Sequence, residues 1–160
     1  MRLSIALLLS CLLISCGFHL KGTGSNQVRL PYRVWAVDGG GTMQNILEDV
    51  LRRQPQAEVD SAHAQAVVKI LNVRQDKTAS AVNLGGNTIE YLLTLRVDSQ
   101  AYHGGIALGE PMNVMVSRYM DYADSEVLGK QEEEVQIWQS MRLDAAEQLI
   151  RRLAYLPAEQ

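Results

Sequence analysis

Asp38-Gly39-Gly40-Gly41-Thr42 is the stretch of this chain with the most obvious look of ligand chemistry, because a glycine-rich turn ahead of a helix presents backbone N–H groups to anions. It lacks the Gly-x-Gly-x-x-Gly spacing, and no Lys follows the glycines as a phosphate-binding loop requires. It therefore reads as a plain turn. His19, His63 and His103 are far apart and none has a second ligand two to four residues on, whereas a metal needs converging donors. No Gly-x-Ser-x-Gly frames a serine nucleophile, and Glu132, Glu133 and Glu134 suit a charged helix start better than a catalytic pair. Neither catalysis nor a bound cofactor is indicated. The cations are more suggestive: Arg74, Lys77, Arg96, Arg118 and Lys130 fall near the expected hairpin and strand ends. Arg74 and Arg96 both leave the more apolar face of their strands. Beside Leu84 and Leu92, they suit a ligand that is anionic at one end and apolar at the other. The plainer alternative is a scatter of solvated charges on a sheet.

Residues 3–14 form an almost wholly apolar run of 12 behind Arg2. A bilayer core takes about 20 residues, so the run suits the core of a secretory signal rather than a span. Leu13-Ile14-Ser15-Cys16 resembles the lipobox of bacterial lipoproteins, in which Cys is the first mature residue. The resemblance implies removal of residues 1–15 as a signal peptide and acylation of Cys16 on sulfur and amine by palmitate-like chains. Because Gly17 rather than Asp follows, it also implies placement in the outer membrane, on the periplasmic side. Each buried methylene adds about 0.8 kcal/mol, so several chains anchor durably where one binds reversibly. Cleavage would take Cys11, one of the 15 cations and none of the 18 acids. That leaves a net charge of −4 and no partner for an internal disulfide.

The full chain of 160 residues carries a net charge of −3 and 47% hydrophobic residues. That length suits one domain with an adequate core, and the acidic balance gives no general footprint for a nucleic acid. The expected division is a signal peptide at 1–15, a glycine-rich lipidated tether at 16–27, one domain at 28–157 and a tail at 158–160. Alternation predicts a first strand over 30–37, with Tyr32, Val34 and Ala36 on one face and Arg33, Trp35 and Val37 on the other. Met43, Ile46, Leu47, Val50 and Leu51 make one helical stripe over 42–54, with Thr42 as N-cap and Pro55 as stop. Glu48–Arg52 and Asp49–Arg53 are its expected ion pairs. A strand over 66–73 places Val67, Leu71 and Val73 on one face. Residues 90–99 place Tyr91, Leu93, Leu95 and Val97 on one face and Leu92, Thr94, Arg96 and Asp98 on the other. Between them lie residues 76–87, turning at Gly85-Gly86-Asn87. A third strand over 112–119 buries Met112, Val114 and Val116. Val135, Trp138, Met141, Ala145, Leu149, Leu153 and Leu156 then stripe a final helix. The order β-α-β-β-β-α predicts an α+β fold, two helices packed on one face of a four-stranded mixed β-sheet.

Four stretches together resemble the LptE family of outer-membrane lipopolysaccharide-assembly lipoproteins. They are Cys16-Gly17-Phe18-His19-Leu20-Lys21-Gly22, Gly86-Asn87-Thr88-Ile89-Glu90-Tyr91, the segment from Arg118-Tyr119 to Leu128-Gly129-Lys130, and Asp144-Ala145-Ala146-Glu147-Gln148-Leu149-Ile150-Arg151-Arg152-Leu153. They sample the mature chain in order, and the family's fold is two helices on a four-stranded sheet. The resemblance implies a non-enzymatic plug, one per barrel, inside the large β-barrel LptD. It also implies help in assembling that barrel and binding of lipopolysaccharide in transit to the cell surface. It carries a ligand-binding lysine just before the second helix onto Lys130. The family's basic residue at the hairpin tip is here Leu84, which leaves that half of the site to Lys77 or Arg74. The barrel-contact candidates are Val82, Asn83, Leu84, Gly85, Gly86 and Asn87. The competing reading is a lipid-anchored periplasmic module that binds a solute or another envelope protein.

Overall fold

The computed structural model describes residues 28–122 and 127–157. Cys16, His19 and the remainder of residues 1–27 lie outside the described residues, as do residues 123–126 and the tail at 158–160. The elements are β1 (Val34–Asp38), α1 (Thr42–Arg52), β2 (Glu58–Val59), β3 (Ala66–Val82), β4 (Thr88–His103), β5 (Ile106–Asp121) and α2 (Val127–Leu153). They form a mixed sheet in the order β2-β1-β3-β4-β5, with β1 parallel to both of its neighbours and β3-β4-β5 an antiparallel meander. The class is the expected α+β. The sheet has five strands rather than four, because Glu58 and Val59 pair with Val34 and Trp35 after the turn at Pro55.

One core lies between the sheet and the two helices. Met43, Leu47, Val50 and Leu51 of α1 and Met141, Ala145, Leu149 and Leu153 of α2 meet Trp35, Val68, Leu93, Leu95, Val97 and Val114 there. Each large side chain removed from water in this layer stabilises the fold by roughly 1.5–3 kcal/mol. The other face of the meander has no covering layer among the described residues: Leu71, Met115 and Tyr119 are exposed.

Several local expectations are corrected. β1 starts at Val34, so Pro31 and Tyr32 precede the strand. Gly41, not Thr42, occupies the N-cap of α1, without a side-chain cap, and α1 ends at Arg52 with Arg53 as C-cap. Arg52 takes both Glu48 and Asp49, at 3.0 Å each, in place of the expected Asp49–Arg53 pair. Ala66, Val68 and Ile70 are buried rather than Val67 and Leu71. A β-bulge explains the change of phase: Ile70 pairs with Ser99 and Asn72 with Asp98, so Leu71 is an extra residue. An extra residue reverses which side chains face the core, and Val73 beyond it does pack inward. Most of residues 76–87 is strand, with only Asn83 to Asn87 forming the turn. α2 begins at Val127, so Glu132, Glu133 and Glu134 lie beyond its first turn and Lys130 lies within the helix rather than ahead of it. Val135, expected in the stripe, is 55% exposed.

Glycine is required ahead of α1. Gly39 and Gly40 both have φ near +80°, and a Cβ on Gly40 would sit 2.7 Å from Ile70 Cγ2. The Asp38–Thr42 turn is pressed onto β3 beside the bulge, so Gly39 and Gly40 answer a packing demand.

Candidate functional site

The five candidate cations separate into three places. Lys77 and Arg118 flank Leu93 in one row across β3, β4 and β5. Leu93 faces the core, so both cations point to the helix side. Lys77 Nζ reaches Glu134 Oε2 of α2 at 2.6 Å and lies 4.4 Å from the centroid of the Tyr91 ring. Arg118 bonds Asp144 of the same helix. Glu134 and Asp144 are ten residues apart, about 15 Å along a helix, whereas β3 and β5 are about 10 Å apart. The two pairs therefore fasten α2 as it crosses the meander obliquely.

Burial alone would raise the pKa of Glu134, but hydrogen bonds from Lys77 and from Trp138 Nε1 outweigh it. With the positive charge of Lys77 they hold the carboxyl below its ordinary value. This carboxylate is thus ionised and committed to the helix–sheet joint.

Arg74 and Arg96 are directly opposite each other on the uncovered face, with Met115 next in the row. Arg74 bonds Asp76 at 3.0 Å. The Arg96 side chain makes no hydrogen bond or ion pair among the described residues. Like charges directly opposite across a sheet are unfavourable by a few tenths of a kcal/mol or more. Asp98, two residues from Arg96, is occupied by Asn72 and Asn113. Four residues along β4 from Arg96, Leu92 is adjacent to Tyr119, so guanidinium and apolar surface share this face.

Lys130 is at the start of α2, bonded to Glu133 at 2.8 Å, its side chain 16% exposed. Its neighbourhood differs from that of Arg74 and Arg96, so these candidates form no single cluster. The hairpin tip lies beyond the helix layer: Val82, Asn83, Leu84, Gly85, Gly86 and Asn87 are all exposed, Leu84 fully. Asn83 Oδ1 accepts from the N–H groups of Gly85 and Asn87, which fixes the turn's shape. An exposed leucine on an ordered tip is a contact element whose value depends on a partner.

The histidines have other roles. His63 Nδ1 is 2.8 Å from Asp60 Oδ2. That bond first, with the Ala62 N–H, lowers the Asp60 carboxyl. His103 ends β4, where its ring stacks on Tyr32 and its Nδ1 is 2.6 Å from the Gln65 carbonyl oxygen. Among the described residues no cluster of three or more His, Cys, Asp or Glu could hold a metal, and no helix is long and apolar enough to cross a membrane. Sequence reasoning missed Glu134 and Asp144 as partners of Lys77 and Arg118. Their spacing on α2 was visible, but the oblique crossing that brings them to β3 and β5 was not.

The chain is thus a two-layer α+β domain with an uncovered, cation-bearing sheet face and an exposed hairpin tip. The LptE lipopolysaccharide-assembly family model matches residues 26–153, and the chain belongs to that family. It is 29% identical over 148 residues to the LPS-assembly lipoprotein LptE of Pectobacterium atrosepticum, covering 91% of this chain and 80% of that protein. It is also 29% identical over 142 residues to the protein of the same name from Photorhabdus laumondii, covering 86% and 76%. The fold resembles the solution structure of an uncharacterised lipoprotein B from Nitrosomonas europaea, with TM-score 0.70, 24% identity and coverage of 86% and 90%. It also resembles the crystal structure of a minor lipoprotein from Acinetobacter baumannii, with TM-score 0.68, 20% identity and coverage of 82% and 99%.

Proposed function

We propose that this chain is a non-enzymatic outer-membrane lipoprotein. It is anchored through acylated Cys16, plugs and helps to assemble an LptD-type β-barrel in a 1:1 complex, and binds lipopolysaccharide on its way to the cell surface. The observation that carries this reading is membership of the lipopolysaccharide-assembly family across residues 26–153. The hairpin supports the barrel contact, since Val82 and Leu84 are exposed on an ordered tip that the helices do not cover. Arg74 and Arg96 support the ligand, because a phosphate between two guanidiniums converts their repulsion into charge-assisted hydrogen bonds. Met115, Leu92 and Tyr119 are then the neighbouring surface for hydrocarbon. Lys130 is the second ligand contact, at the start of α2. Lys77 and Arg118, held by Glu134 and Asp144, act mainly by keeping α2 in place.

In-cell photocrosslinking tests the orientation. Probes at Val82, Leu84 and on the open face at Met115 should crosslink to the barrel wall or to lipopolysaccharide. Adducts confined to the solvent side of the helices would reverse it. For the ligand, Lys130→Asp should weaken lipopolysaccharide binding more than Lys69→Asp does, and equal affinities would count against a localised site.

A further inference from the structure

The domain has two poles. β3 and β4 run roughly 50 Å from a base, where Ala66 pairs with His103, to the hairpin tip. The described chain starts at the base, where the Val28 N–H donates to Gln54 Oε1 at 3.3 Å. An indentation there, between the ends of α1 and α2, is lined by Val28, Val50 and Ile150 together with Arg53, Arg151 and Glu147. A second concavity beside it carries Arg29 and Arg33.

The nearby acids are engaged. Glu147 lies 3.8 Å from Arg151, Glu58 lies 3.7 Å from Arg33, and Glu48 and Asp49 hold Arg52. Asp60 holds His63 and the Ala62 N–H. The side chains of Arg29 and Arg53 have no hydrogen bond or ion pair among the described residues. Arg53 also answers the negative end of α1, but Arg29 precedes β1 and answers no helix.

We propose that this arginine-bearing base is a membrane-facing surface that takes the phosphates of anionic phospholipid headgroups, a contact separate from the lipopolysaccharide candidates, of which Arg74 and Arg96 lie at mid-strand. It rests on the acylation of Cys16 proposed above. Twelve residues from Cys16 to Val28 span at most about 40 Å when extended, so the base stays near the leaflet that holds the acyl chains. The hairpin can then project about 50 Å beyond it. Guanidinium forks match phosphate oxygens, and the apolar lining beside them suits the glycerol and upper acyl region. Each arginine at an anionic surface strengthens the contact by roughly fivefold.

The test uses the acylated full chain, with the membrane partner it retains, carrying a fluorescent label at Ser61→Cys on the base. It is reconstituted in vesicles of phosphatidylethanolamine with phosphatidylglycerol, or of phosphatidylcholine alone, each doped with a headgroup-quenching lipid. Quenching at Ser61→Cys should be several-fold greater in the anionic vesicles, fall toward the neutral level in Arg29→Glu/Arg53→Glu, and be low for a label at Leu84→Cys in both. Equal quenching in both vesicles, or no effect of the double variant, overturns the proposal. Vesicle flotation and the N-terminal mass report acylation separately: a chain that does not float fails the anchoring reading instead. Thermal melts of the double variant should match the parent, which separates loss of contact from loss of fold.

Discussion

Replacing Lys77 by Met should cost stability rather than ligand affinity, because Lys77 joins β3 to α2. Its pair with Glu134 is 2.6 Å long, with the side chains 33% and 25% exposed. That places it between exposed pairs, worth about 0.2–1 kcal/mol, and fully buried ones, whose disruption costs about 3–5 kcal/mol. Loss of the cation over Tyr91 adds about 0.5 kcal/mol. The sum, about 1.5–2 kcal/mol, corresponds to a Tm lower by about 3–8 °C for a domain of this size. Thermal melts at pH 7 of Lys77→Met, Glu134→Gln and the double variant should give a coupling of about 1 kcal/mol, while lipopolysaccharide affinity stays within about twofold. The pH dependence has a fixed sign. The folded Glu134 carboxyl lies below its ordinary value of 4.5, so its contribution is present above that pH and is lost as pH falls through the folded value. Glu134→Gln should therefore flatten the acid limb of the stability curve. An unchanged Tm with a many-fold loss of affinity in Lys77→Met would refute the joint and make Lys77 a ligand contact.

Three other substitutions probe separate features. Gly40→Ala should lower stability by at least about 2 kcal/mol, since it combines a left-handed backbone cost with a Cβ 2.7 Å from Ile70 Cγ2; a chemical denaturation midpoint matching the parent would contradict this. Arg96→Thr should leave stability unchanged or raise it by up to about 1 kcal/mol, by relieving the opposition to Arg74, while weakening lipopolysaccharide binding. Reduced stability with intact binding would remove Arg96 from the site. Glu133→Gln should strengthen binding to a phosphorylated lipid A analogue, because it withdraws the carboxylate that competes for Lys130; weaker binding would make Glu133 itself part of the site.

The central strands were the most legible part of the sequence. Leu93, Leu95 and Val97 alternate without interruption and are fully buried, and Met112, Val114 and Val116 follow the same rule on β5. β3 was misread at Leu71 because a bulge is a relation between two strands and leaves an ordinary-looking sequence on either one. β2 escaped notice because two residues carry no periodicity, and its pairing depends on the turn after α1. The cations were identified by type and place, but their roles depend on the sheet face and on what α2 brings to it. Arg74 and Arg96 were correctly set on the apolar strands' outer side. Lys77 and Arg118 point inward in phase with Val73 and with Val114 and Val116; their commitment to Glu134 and Asp144 required the helix crossing, which no strand pattern records.

Affinity purification of the native acylated chain from solubilised membranes bears most directly on the plug reading. A large β-barrel protein should be recovered with it at one copy per copy, carrying lipopolysaccharide, and Cys16 should be the acylated first residue by mass. Recovery of the chain from the periplasmic fluid without acyl groups, or with a soluble partner and no barrel, would contradict the account.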